Sequence, residues 1–494
     1  MLIINLMSKK KLNFLFIYLI SVALILGLFF VSKSKITDYP PHRNGDNGAY
    51  FLSAYNLKKF NIYSYQHHEF RVENHKNIIK PPLYSFGLSF FMKQTDVIQN
   101  NASCFFLGDY YNNNLCKNMI RNAKIFNVLI HLALSISIFL ILFDLTRNIY
   151  IPFVGFYLIY FSNFFSSQIN NFMTESLSSF LLLLHSYFLI KIFKSQSISI
   201  YHVVCSAIFL GLLILTKAIF LYWFYIIVTI FVSFYGLIQL KKFFYIYSLP
   251  YLHRYTLKKF LLFFFITFII YVPWQVRNFM VDGRFEISSQ SGNVIAERAE
   301  YLNYDIKKYH YAFVWYLPYS EFKKKILSKF DQSLFSKFDE SHPSSFYRLS
   351  SDRDNGFILS KLNEKEKNNP GLLFKQSLKY ILENPFKNIY LSIILIYRAS
   401  FMSTISTDPL FTFINDFFTA ASHWPSTFGL LFIFLLFLIK KNKNIFFIAP
   451  SIFGILGYGF LTDFESRYAA IFVPVFIVLI LTLKKKYESF NYKN

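Results

Sequence analysis

Five short motifs and one further acid hold the residues of this chain whose types could do chemistry. Asp46 lies in Gly45-Asp46-Asn47-Gly48-Ala49-Tyr50, at the head of a segment whose apolar positions Tyr50, Phe51, Ala54 and Leu57 share one helix face. A carboxylate there caps the helix or accepts a proton from a substrate. Lys80 opens Lys80-Pro81-Pro82-Leu83-Tyr84, where paired prolines forbid helix before them and hold the lysine at a defined place. Lys217 ends Leu215-Thr216-Lys217, and Arg277 sits in Pro273-Trp274-Gln275-Val276-Arg277-Asn278. A guanidinium offers phosphate a rigid fork, and tryptophan suits a membrane interface. Glu465-Ser466-Arg467-Tyr468 adds a cation and an acid that could simply pair with each other, and Glu175 is a further candidate. Fixed cations hold an anion, and a carboxylate handles a proton.

The elements that position these residues are apolar blocks. The chain has 494 residues, 54% hydrophobic and only 16% charged, which excludes a water-soluble enzyme and a disordered protein. The net charge of +24 comes without a groove-reading motif, so nucleic acid is not the partner. A hydrocarbon core about 30 Å thick needs about 20 apolar residues as helix. Blocks near that length fall at 13–31, 122–143, 149–165, 175–193, 200–216, 218–239, 260–281, 425–439, 445–461 and 467–483. A single helix over 200–239 would be about twice the core thickness, so the chain must turn near Lys217.

The short connections carry their cations alternately. Arg147, Lys191 with Lys194, Lys241 with Lys242, Lys258 with Lys259, Lys440 to Lys443 and Lys484 to Lys486 fall on one side. By the positive-inside rule that side is cytoplasmic and contains both termini. Lys217 and Arg467 are exceptions on the depleted outer side. Loops 32–121 and 282–424 face outward, and all five motifs gather on that side. The stretch 386–404 lies on the surface or pairs with 408–424 as two crossings. The expected organisation is an N-terminal module over 1–281, an outward region over 282–424 and C-terminal spans over 425–494. Cys104 and Cys116 share the first outward loop, where an oxidising compartment would let them bond; two unpaired thiols are the alternative. His67, His68, His75, Glu69 and Glu73 cluster in that loop without a known ligand spacing, and solvated residues account for them better than a metal. An outer-face site of several cations and one or two carboxylates suits a lipid-linked phosphate whose tail lies among the spans.

At these motifs the chain resembles the GT-C superfamily of polytopic glycosyltransferases, in particular its bacterial protein O-mannosyltransferase and aminoarabinose transferase-like branch. The residues that carry the likeness are Asp46, Lys80 to Tyr84, Leu215 to Lys217, Pro273 to Asn278, Gly283 to Phe285 with Gly292-Asn293, and Glu465 to Tyr468. Ile79 and Asn47 stand where the two branches carry acidic residues, so the likeness selects neither acceptor. The resemblance implies an all-α polytopic membrane protein, a GT-C-like bundle with outward juxtamembrane helices and a larger outward loop region. It implies an inverting transferase of the bacterial inner membrane. Such an enzyme moves a sugar from a polyprenyl monophosphate to a hydroxyl of a glycan, lipid or protein. Asp46 would be the general base, and Lys80, Lys217, Arg277 and Arg467 would hold the donor phosphate. Tyr50, Tyr84, Glu175, Trp274, Asn278, Asn293, Glu465 and Tyr468 would surround the substrates. The resemblance names no certain cofactor and leaves metal dependence open, with a divalent ion at Asp46 and Glu175 suggested by the oligosaccharyltransferases of the same superfamily. The alternatives are a lipid-linked sugar transporter or flippase and a lipid-diphosphate-dependent glycan polymerase.

Overall fold

The computed structural model describes residues 24–37, 46–64, 80–99, 114–194, 199–243, 250–302, 370–401, 445–462 and 466–483. All regular structure among them is helical. Short helices come first: α1 (Leu24–Ser34), α2 (Asp46–Phe60), α3 (Leu83–Phe91) and α4 (Gln94–Gln99). The bundle follows as α5 (Asn114–Thr146), α6 (Tyr150–Tyr160), α7 (Asn163–Ser167), α8 (Glu175–Lys194), α9 (Ile200–Ile214), α10 (Phe220–Phe243) and α11 (Pro250–Asp282). Then come α12 (Ser291–Leu302), α13 (Pro370–Glu383), α14 (Pro385–Phe401), α15 (Ile445–Leu461), α16 (Ser466–Ala470) and α17 (Val473–Leu483). Pro250, Pro370 and Pro385 open their helices, where a missing N–H costs nothing.

Among the described residues, three helices are long and apolar enough to cross a membrane: Asn114–Thr146, Glu175–Phe193 and Leu257–Asp282. The apolar window of α8 is 72% buried and that of α11 only 22%, so α8 is the centre of the bundle and α11 a lipid-facing wall. α8 packs against α5, α9 and α15, and α9 against α11. The last contact is close because Gly211 leaves room: a Cβ there would meet Ile270 at 2.8 Å. Helix α9 stops at Ile214 and α10 starts at Phe220, so the turn falls where the length argument requires it. The stretch from 386 belongs to α14, which packs against α15 and α16. The expected span at 425–439 and most of the outward region lie outside the described residues.

Two ends of the bundle are marked by ion pairs. Asp144 contacts Lys191 and, at 3.6 Å, Arg147, which puts both cations of the expected cytoplasmic side at one end. Glu175, at the opposite end of α8 and about 24 Å away at helical rise, marks the other. His185 is buried between helices, with its ring accepting from Trp223 at 3.3 Å and meeting Ser206 at 3.0 Å. Cys116 is disulfide-bonded and Cys205 is a free thiol, while Cys104 lies outside the described residues.

Candidate active site

Helix α2 begins on Asp46. The sequence shows one apolar face, yet the helix is buried on nearly every side from Asn47 to Asn56. The small and polar residues on its supposed outer side are what permit this. Asn47 accepts the Phe172 backbone N–H at 2.7 Å, Asn56 donates to the Ser64 carbonyl at 2.7 Å, and Ser53 and Ala54 let neighbours approach. Asp46 is thereby carried into the protein, 24% exposed, rather than left at the rim.

Two cations meet it there. Lys80, 5% exposed, bonds Oδ1, and Arg467 donates from Nη1 to Oδ2 at 2.9 Å. Burial alone would raise the Asp46 pKa, but Lys80 and Arg467 outweigh it and hold the carboxyl well below the usual range. Burial also pulls Lys80 below the ordinary lysine value, against the attraction of Asp46. Alongside, Lys217 donates to Glu175 Oε1 at 3.2 Å and sits 5.0 Å over the Tyr468 ring, with the second Glu175 oxygen buried without a hydrogen bond. Arg467 also donates to the Tyr468 hydroxyl at 3.0 Å, so Tyr468 lies between the two pairs.

Backbone contacts lock the motifs to one another. The Leu83 N–H donates to the Leu215 carbonyl at 3.1 Å, joining the proline-bearing turn to the segment that carries Lys217. Tyr84 is fully buried, with its hydroxyl on Asn127 at 2.7 Å, and Tyr50 packs edge-on against it beneath Lys80. Arg277 approaches from α11: it donates to the Tyr63 carbonyl at 3.1 Å and lies 4.7 Å over Trp274. Asn278 is buried and donates to the carbonyls of Glu286 and Ile287, while Trp274 donates to Ile287. Gly283, at φ +70°, ends α11 and turns the chain back for those bonds. The structure therefore gathers Asp46, Lys80, Lys217, Glu175, Arg467 and Tyr468 into one ion cluster, with Arg277 one residue removed through Tyr63. Tyr50, Tyr84 and Asn278 are buried. Glu465, the Asn293 side chain and the histidine-rich stretch at 67–75 lie outside the described residues.

A scan against protein-family models finds no match, and neither does a search of curated proteins. Solved structures of ArnT are similar. They come from Cupriavidus metallidurans: the apo state at 12% identity and TM-score 0.36, and the form bound to undecaprenyl phosphate at 13% and 0.35. Each similarity covers 97% of this chain and 78% of that one. TM-scores this low carry neither fold nor chemistry across, and the site is read from its own residues.

The suggested divalent ion does not fit them. Both Asp46 oxygens and Glu175 Oε1 face ammonium or guanidinium groups, which leaves Glu175 Oε2 as the one carboxylate oxygen of the pair without such a partner, and no described group of three His, Cys, Asp or Glu residues has the makings of a metal site. Two important residues carried no signal in the sequence. Tyr63 follows Asn61, whose left-handed φ of 55° ends α2, but no motif marks it. Arg298 is fully buried, with Nε on Asn388 Oδ1 at 2.8 Å and Nη2 on Ser392 at 2.6 Å. It reads in the sequence as one more solvated cation of a long loop.

Proposed function

We propose that this protein is an inverting glycosyltransferase of the GT-C type, which takes its sugar from a polyprenyl monophosphate at the outer face of a bacterial inner membrane. The observation that carries this reading is Asp46 held between Lys80 and Arg467, with Lys217 and Glu175 alongside. Cations paired with a carboxylate can exchange it for an incoming phosphate. The tail has a surface to lie on: Phe86 and Phe90 of α3 and Phe279 and Met280 of α11 are exposed, and Phe86 meets Trp274 edge-on at 6.1 Å, so the two elements are neighbours.

The chemistry follows from the exchange of partners. A carboxylate bonded to two cations is a weak base. When the donor phosphate engages Lys80 and Arg467, Asp46 loses their stabilisation, its basicity rises, and it takes the proton of the acceptor hydroxyl. The acceptor oxygen attacks the anomeric carbon, and the bond to the phosphate oxygen breaks with its electron pair leaving on the phosphate. Proton transfer of this kind is worth about 10²–10⁴ in rate, and each contact to the developing phosphate charge about 2–4 kcal/mol.

The test uses full-length protein in lipid nanodiscs. Undecaprenyl monophosphate should bind more tightly than undecaprenyl diphosphate, and deletion of the gene should remove one sugar from an envelope glycan seen by mass spectrometry. A preference for the diphosphate favours the polymerase class, and unaltered glycans overturn the transferase reading.

A further inference from the structure

Tyr63 is absent from every motif, yet it touches two of them at once. Its hydroxyl donates to the carbonyls of Lys80 at 3.1 Å and Pro81 at 3.0 Å. Its own carbonyl accepts from Arg277 Nη2 at 3.1 Å. Its ring lies 5.7 Å from the Arg277 guanidinium and meets Trp274 edge-on at 4.8 Å. The residue is 5% exposed, and the turn that delivers it is pinned by Asn61 on Leu57 and by Asn56 on Ser64.

Lys80 precedes two prolines, which donate no backbone hydrogen bonds. The described contacts of its backbone carbonyl therefore matter for where the ammonium stands. Arg277 projects from α11, the helix with the least buried window, and its planar group must be oriented to grip a phosphate. One phenol reaches both. Burial pushes that phenol's pKa up, so the hydroxyl stays a donor across the working pH range.

We infer that Tyr63 is a positioning residue that sets the spacing between Lys80 and Arg277, and so fixes the donor phosphate between a lysine and an arginine from separate parts of the chain. This rests on the proposed function. It adds that the phosphate is gripped from two sides, by the Asp46 cluster and by Arg277, with Tyr63 as the gauge between them. The hydroxyl acts on Lys80 through its carbonyl and the carbonyl of Tyr63 acts on Arg277, so the two halves of the role separate by mutation.

Tyr63→Phe keeps the ring and the carbonyl and removes the hydroxyl's bonds to Lys80 and Pro81, together with its interactions with Ser85 and Ser53. Binding of undecaprenyl monophosphate to the full-length variant in nanodiscs should weaken about fivefold to tenfold, the worth of one or two net hydrogen bonds. The effect should vanish in the Lys80→Ala background, because the hydroxyl works through that lysine. It should persist in the Arg277→Ala background. In turnover, KM for the donor should rise by the same factor, with kcat and the acceptor KM unchanged. Equal binding by wild type and Tyr63→Phe overturns the inference alone, as does a full additional loss on top of Lys80→Ala. Absence of binding by the wild type overturns the functional reading and this inference with it.

Discussion

Replacing Asp46 with asparagine should strengthen donor binding while abolishing turnover. Asp46 accepts charge-assisted bonds from both Lys80 and Arg467. Hydrogen bonds to charged groups are worth about 1.5–3 kcal/mol, and neutral ones about 1. Asparagine retains a neutral acceptor, so each contact loses about 1 kcal/mol and the pair about 2 kcal/mol. In the wild type an arriving phosphate must first break both contacts. In Asp46→Asn that cost is lower by about 2 kcal/mol, and undecaprenyl monophosphate should bind about thirtyfold more tightly. The unliganded variant should melt at a lower temperature, since Lys80 at 5% exposure keeps its charge without its carboxylate partner, and added lipid phosphate should raise that temperature by more than it does in the wild type. Turnover should fall by about 10²–10⁴ with the base gone. The assay is equilibrium binding and single-turnover transfer on one nanodisc preparation. Weaker binding in Asp46→Asn would mean that the cations around the carboxylate are not the phosphate site, and turnover near the wild-type rate would remove the base assignment.

Three other outcomes follow from the same contacts. Lys80 must be protonated to hold phosphate, and burial lowers its pKa, so kcat/KM should be full at lower pH and decline as pH rises, with a midpoint below 10.5; Lys80→Arg should remove that decline, and an unchanged profile would show another group titrating. Arg277→Ala should raise the donor KM about tenfold or more while leaving the acceptor KM unchanged, because its described partners include Tyr63 and Asn278 but not the Asp46 cluster. Arg298→Met should destabilise the protein by several kcal/mol, seen as a lowered melting temperature and weaker lipid binding, since Arg298 links α12 to Asn388, Ser392 and, at 3.4 Å, the Thr462 carbonyl just ahead of Arg467.

The sequence disclosed the bundle because apolar length and cation placement are one-dimensional signals. The break near Lys217 and the shared end of Arg147 and Lys191 both follow from counting. Pairings within the site are three-dimensional and were less legible. Arg467 could have been matched with Glu465 two residues away, yet its described carboxylate partner is Asp46, 421 positions earlier. Helix α2 shows an apolar stripe, but stripes record only which residues are oily. Asn47, Ser53 and Asn56 are buried because their polar atoms or small size suit the neighbours, and composition cannot express that. Tyr63 and Arg298 were invisible for a related reason: Tyr63 works through backbone carbonyls, which every residue possesses, and Arg298 through the carbonyls of Asn388 and Thr462 and through side chains about 90 positions away.

The charge balance of the site bears on which donor it takes. Among the described residues of the cluster, Lys80, Lys217 and Arg467 face Asp46 and Glu175, three positive groups against two negative. A sugar joined to a polyprenyl monophosphate is a phosphodiester with one negative charge, which this surplus of one neutralises. A lipid diphosphate sugar brings two, one more than the surplus of this cluster. During transfer the leaving phosphate acquires its second charge, and a further cation is then needed that the resting cluster does not contain. Arg277 stands one tyrosine away, held toward the Lys80 segment by Tyr63. On the proposed function it grips the ground-state phosphate and also stabilises the charge that appears as the bond breaks, and the second, differential contact raises kcat. Arg277→Ala therefore has two separable consequences, a loss in donor KM from the grip on the ground-state phosphodiester and a further loss in kcat from the product dianion. The ratio between them measures how far the phosphate charge develops before the acceptor oxygen has bonded.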